Sequence, residues 1–173
     1  MRNVLSVALC CLALAPASAR AEPAREANNS LYLELGGSGV VYSLNYERFV
    51  RDDVSLRVGF GYVSLQGADI DGGTVTADIA LLTVPVTVSY LGIGAGSHRL
   101  ELGAGALYAD ITGATSSDGA KAFGSGSGVV GTAIAGYRYV RAGGGLTFRA
   151  AFTPLFGEGG FQPWAGVVLG YSY

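Results

Sequence analysis

Few side chains in this 173-residue chain are equipped for catalysis. The single histidine, His98, stands beside Arg99 with no Ser–Asp pair near it in sequence, so the neighbours of a nucleophilic triad are missing. It reads as a solvated turn residue. Gly126-x-Gly128-x-x-Gly131 has the spacing of a dinucleotide fingerprint. It opens a strand rather than a helix, so no helix N-terminus is offered to a pyrophosphate. Asp69, Asp71 and Asp78 gather around a polar segment, but their spacing supplies too few oxygen ligands for a calcium loop. No HExxH helix, P-loop or carboxylate pair facing a cleft occurs. The expectation is a non-enzymatic protein with no catalytic residue, no cofactor and no metal.

The ionic residues that remain are informative by position. Glu34, Glu47 and Glu101 balance Arg57, Arg138 and Arg149, and each sits inside a stretch of alternating polarity. Charges placed in a narrow, low-dielectric interior must be paired and hydrogen-bonded. Glu47 and Arg57 flank a turn almost symmetrically and should face each other. Glu101 should lie level with Arg138 on an adjacent strand, and Glu34 should reach Arg149 across a lumen.

The segments that carry these residues follow an apparent targeting sequence. Arg2 is followed by an apolar run over residues 4–15 and by Ala19-Arg20-Ala21, the pattern of a secretory signal peptide over residues 1–21. Cys10 and Cys11 fall inside it, so the mature chain should have no thiol and no disulfide. Removing Arg2 and Arg20 leaves nine basic against thirteen acidic residues, a net charge of −4, with no basic patch for nucleic acid. Residues 22–29 should form a short periplasmic segment and residues 30–173 one barrel. A hydrophobic share of 50% excludes disorder, and no apolar run reaches the ~18 residues of a membrane-spanning helix.

From Leu31 the period is two. Leu31, Leu33 and Leu35 alternate with Tyr32 and Glu34; Val54, Leu56, Val58, Phe60 and Tyr62 alternate with Ser55, Arg57, Gly59 and Gly61. The same holds for Leu82 to Tyr90, Leu100 to Tyr108 and Leu146 to Phe152, and parity in the Gly/Ala-rich stretch before Tyr139 places Arg138 inward. Eight such strands of about ten residues are the length that crosses a bilayer at a tilt. In hydrocarbon every backbone group must be paired internally, so strands span only as a closed cylinder. The fold expected is all-β, an eight-stranded antiparallel up-and-down transmembrane β-barrel, aliphatic parity outward and ionic parity inward. Tyr46, Tyr90, Tyr139 and Tyr173 at one end, with Tyr42, Tyr62 and Tyr108 at the other, suit two interfacial girdles. Residues 64–74 and 111–128 should be long loops on one side. Pro85 should force a bulge, and Pro154 should lie near the outer rim.

The chain ends in Val167-x-Leu169-x-Tyr171-x-Tyr173, alternating apolar positions closed by an aromatic residue. This ending resembles the C-terminal signal read by the outer-membrane barrel assembly machinery. With the leader and eight strands, the mature chain resembles small Gram-negative outer-membrane barrels of the OmpA/OmpX type. The segments Val84-Pro85-Val86-Thr87-Val88-Ser89-Tyr90 and Gly136-Tyr137-Arg138-Tyr139 resemble those of uncharacterised families of such barrels. The resemblance implies residence in the bacterial outer membrane, with lipids and lipopolysaccharide as surroundings and the assembly machinery as a partner during biogenesis. It implies an envelope-structural, surface-interaction or minor-pore role and names no partner for the surface loops. Two alternatives stand beside it: a secreted or periplasmic lipocalin-like barrel for an apolar ligand, and a lipid A-modifying enzyme. For the second, His98 lies at the wrong rim.

Overall fold

A computed structural model describes residues 25–70, 75–117, 120–157 and 160–173. The expected signal peptide, with both cysteines, and Asp71 lie outside the described residues. The strands are β1 (Asn29–Gly36), β2 (Tyr42–Arg51), β3 (Val54–Ile70), β4 (Val75–Ala95), β5 (His98–Ser117), β6 (Ala120–Tyr139), β7 (Gly145–Phe152), β8 (Leu155–Gly157), β9 (Gly160–Gln162) and β10 (Ala165–Ser172). All pairings are antiparallel. β1 to β7 pair in sequence order, β7 pairs β10, and β10 closes on β1. β8 resumes the β7 track beyond Pro154 by pairing with β6, and β9 leads into β10. The result is an eight-stranded antiparallel ring in which two strands are interrupted near one end.

Closure leaves no ring edge and satisfies the backbone internally. Period-two sequence then sorts side chains by face, and the sorting is inverted relative to a water-soluble sheet. Leu33, Leu44, Val58, Val88, Leu102, Phe148 and Leu169 are exposed, Leu169 by 63%. Glu34, Glu47, Arg57, Glu101, Arg138 and Arg149 are at most 1% exposed. Water-soluble monomers rarely show contiguous apolar patches above a few hundred Å². Here the apolar belt runs around the ring, so its solvent is hydrocarbon.

Strand heights are uneven. β1, β2, β7 and β10 have 8, 10, 8 and 8 residues, close to one tilted bilayer crossing. β3, β4, β5 and β6 have 17, 21, 20 and 20 residues and overshoot it. The expectation of long loops at 64–74 and 111–128 is thereby corrected over the described residues; residues 71–74 and 118–119 lie outside them. The β5–β6 register runs unbroken from His98↔Tyr139 to Ser117↔Ala120, and β3–β4 pairing resumes at Ile70↔Val75. Gly-, Ser- and Thr-rich composition suggested turns, but a hairpin ladder uses backbone groups and tolerates these residues once no apolar face is required.

Pro85 does not bulge its strand. β3–β4 pairing keeps one register from Val58↔Val86 to Gly61↔Thr83, omitting only the positions beside Pro85, while Pro85↔Leu107 is retained on the other side. The interruption is confined to two register positions, Gly59 opposite Pro85 and Phe60 opposite Val84. Gly59 makes the approach feasible, since a Cβ there would lie 2.9 Å from Pro85 Cγ. Pro154 sits where β7 gives way to β8, its carbonyl accepting from Ala133 N at 3.3 Å.

Candidate functional site

The lumen has three layers. At the turn side, meaning the end with the β2–β3, β4–β5 and β6–β7 connections, Phe49, Leu91 and Val140 form a small buried apolar cluster. Residues 25–28 fold across this end, with Glu26 N and Ala27 N donating to Ala142 O and Phe49 N donating to Asn28 O.

The middle layer is ionic and forms one chain. Arg57 Nη1 lies 3.3 Å from Glu34 Oε1, which also accepts from Arg149 Nη2. Arg149 Nη1 lies 3.1 Å from Glu101 Oε1, and Arg138 Nη1 lies 3.5 Å from Glu101 Oε2. Arg138 then clasps Glu47 with both terminal nitrogens, Nη1 donating to Oε1 at 2.7 Å. The order Arg57–Glu34–Arg149–Glu101–Arg138–Glu47 alternates in sign, sums to zero charge and draws on six strands. Its two ends, Glu47 and Arg57, are register partners on β2 and β3.

Hydroxyls complete the shell. Ser55, Ser89 and Ser43 donate to Glu47, Glu101 and Glu34 at 2.6, 2.7 and 3.2 Å. Arg57 Nε donates to Thr87 Oγ1 at 2.8 Å. The Tyr32 ring lies between Arg138 and Arg149, whose guanidinium carbons are 5.8 and 5.7 Å from its centroid, within cation–π range.

Two expected contacts, Glu101–Arg138 and Glu34–Arg149, are formed; the third is rearranged. Glu47 and Arg57 are opposed in register, but Glu47 is clasped by Arg138 and Arg57 turns to Glu34. Arginine is long enough to prefer a bidentate carboxylate across the lumen to a crowded cross-strand neighbour. Sequence parity puts Tyr32 on the same face as Glu34 without marking it as a partner of this layer.

The third layer was not anticipated. The β1–β2 connection is a single 3-10 turn at Gly37–Gly39. It folds into the lumen with all three residues buried. Ser38 Oγ accepts from Arg57 Nη2 at 2.9 Å, and Gly39 O accepts from Thr83 Oγ1 at 3.1 Å. Gly37 has φ +64°, and a Cβ there would sit 2.1 Å from Glu34 Oε1. Val40 follows at φ 71°, a strained setting for a β-branched residue, and Trp164 Nε1 donates to its carbonyl at 3.1 Å. Gly37→Ala should therefore displace the Glu34 carboxylate and cost roughly 2 kcal/mol, measurable as a lower denaturation midpoint in detergent micelles.

His98 lies at the turn side, its Nδ1 2.7 Å from Tyr137 Oη. Asp78 and the Gly126–Gly131 segment belong to β4 and β6, which places the glycines on a strand. Among the described residues no cluster of three or more His, Cys, Asp or Glu side chains suited to a metal occurs.

A closed antiparallel ring of eight strands with an apolar exterior and an ionic interior defines a β-barrel of the outer-membrane type. The fold is similar to the N-terminal β-barrel domain of OprF from Pseudomonas aeruginosa, with 22% identity, 86% of this chain and 100% of that chain covered, and a TM-score of 0.55. It is also similar to Ail, the attachment invasion locus protein of Yersinia pestis, with 13% identity, 86% and 98% covered, and a TM-score of 0.55. No family model matches the chain, and no curated protein matches it by sequence.

Proposed function

We propose that the protein is a non-enzymatic integral barrel of the bacterial outer membrane, with an envelope-structural, surface-interaction or minor-pore role and a lumen occluded by the Arg/Glu chain. The observation that carries this reading is the stacking of an apolar cluster, a neutral six-member ion-pair chain and an inward-folded turn along one axis. Wide aqueous channels need about sixteen strands, and eight leave a lumen that side chains fill. An apolar ligand would meet buried carboxylates and guanidinium groups there, which argues against a lipocalin-like role. Val167, Leu169, Tyr171 and Tyr173 project outward from the last strand, where the assembly machinery could read them during insertion.

The test combines two measurements on detergent-extracted protein. Folded and boiled samples should migrate differently on a gel, and reconstituted protein should give at most small single-channel events. Release from cells by osmotic shock without detergent would refute the membrane assignment. Large, steady conductance would refute the occluded lumen. Arg57→Ala should raise leak moderately, because Glu34 keeps Arg149 while the anchor of Ser38 is lost.

A further inference from the structure

The turn-side mouth contains a cavity of about 280 Å³ that the barrel architecture does not require. Arg25, Arg99 and Arg141 line it, from three separate segments: the arm before β1, the start of β5 and the β6–β7 connection. Ser97 and Gly143 contribute polar edges, Val140 supplies an apolar wall, and no acidic residue is among those lining it.

Two of the arginines are held in place by the fold. The Arg25 guanidinium stacks on Phe49 at 3.6 Å, and its Nε donates to Asp52 O at 3.4 Å. Its Nη1 is buried and has no hydrogen-bond partner among the described residues. Arg99 Nε donates to Gly96 O at 3.1 Å, which fixes that guanidinium beside the cavity. Burial holds Arg25 below its ordinary pKa; the like charges of Arg138 and Arg99 push in the same direction, and Glu47 and Asp52 oppose them. Guanidinium groups gathered at one cavity repel one another, most strongly where Arg25 is half-buried. An oxyanion bridging them offsets that repulsion.

We propose that this cavity is a binding site for a phosphate-type oxyanion, bridged by Arg25, Arg99 and Arg141. A tetrahedral group presents oxygens in several directions to three guanidinium forks, whereas a planar carboxylate serves fewer. The same chemistry is offered by the headgroup of a phospholipid in the adjoining leaflet and by free phosphate. Only the lipid source rests on the membrane reading.

The test is a calorimetric titration of folded protein in phosphate-free detergent micelles, with inorganic phosphate in one arm and a short-chain phosphatidylglycerol in the other. Saturable binding of at least one probe is expected, weakened about tenfold in Arg25→Gln and in Arg141→Gln. Arg48→Gln, an exposed position on β2 outside the cavity, should bind as the parent does. Binding of the lipid alone assigns a headgroup, and binding of phosphate alone assigns a soluble ligand. Absence of saturable binding of either probe overturns the site, as does an equal loss in Arg48→Gln. Arg141 is exposed, so its variant keeps the test decisive if Arg25→Gln does not fold. Heat-modifiable migration of each variant separates failure of the site from failure of the barrel.

Discussion

Arg138→Ala should lose about 3–5 kcal/mol of folding stability, the largest effect expected of any single lumen substitution. Arg138 joins Glu47 to Glu101, so its removal leaves Glu47 with the Ser55 hydroxyl but without its ion-pair partner, and leaves Glu101 with Arg149 and Ser89. A buried charge without its partner costs far more than the pair contributes, because desolvation of the survivor is no longer offset. The effect should be read from urea unfolding in micelles, using the fluorescence of the single tryptophan, Trp164, as reporter. A control separates charge from packing. Arg138→Met combined with Glu47→Leu should recover much of the loss, since a buried ion pair exchanged for apolar groups of similar volume is often neutral. If the double variant is as unstable as Arg138→Ala, the loss comes from packing against Tyr32 and Phe49 and not from the Glu47 carboxylate left without its ion-pair partner.

Why the ring was legible and its plug was not follows from the range of each interaction. Parity is local. Leu31, Leu33 and Leu35 against Tyr32 and Glu34 declare two faces whatever the partner strands are. The balance of three Glu and three Arg on the inward parity also lies on the surface of the sequence, because a closed interior tolerates charge only in compensated form. Which carboxylate each guanidinium chooses is not local. It depends on ring closure, strand tilt and arginine reach, and so Glu47 meets Arg138, 91 residues away, rather than its register neighbour. The inward turn failed to announce itself for a related reason. Gly37-Ser38-Gly39 has the composition of any short loop, and only the approach of Arg57 and Thr83 from other strands draws it into the lumen. The overshooting hairpins mark the opposite error: loop-like composition at 64–74 and 111–128 concealed a ladder that the backbone supports unaided.

Val58→Arg addresses the inverted exterior directly. Val58 is 46% exposed, midway along β3 between Val54 at the turn-side end and Tyr62 at the opposite girdle, and is paired with Tyr46 on one side and Val86 on the other. On a water-soluble barrel, arginine at so open a position would change stability by no more than about 0.5 kcal/mol. Facing hydrocarbon, the same side chain must carry its charge into the bilayer or bend toward an interface. The cost near the midplane is roughly 2–4 kcal/mol. The expected result is a matching drop in unfolding free energy after refolding into lipid vesicles, together with less heat-modifiable protein in membranes. The loss should shrink toward zero for Tyr90→Arg, because Tyr90 is exposed and pairs with Val54 at the turn-side end of β3, four residues below Val58, where an arginine can reach headgroups. That depth dependence is the signature of a bilayer. A packing defect would not follow distance from the midplane, and a water-facing surface would show neither loss. Equal tolerance of arginine at Val58 and Tyr90 would place this face of the ring in water and overturn the inside-out assignment.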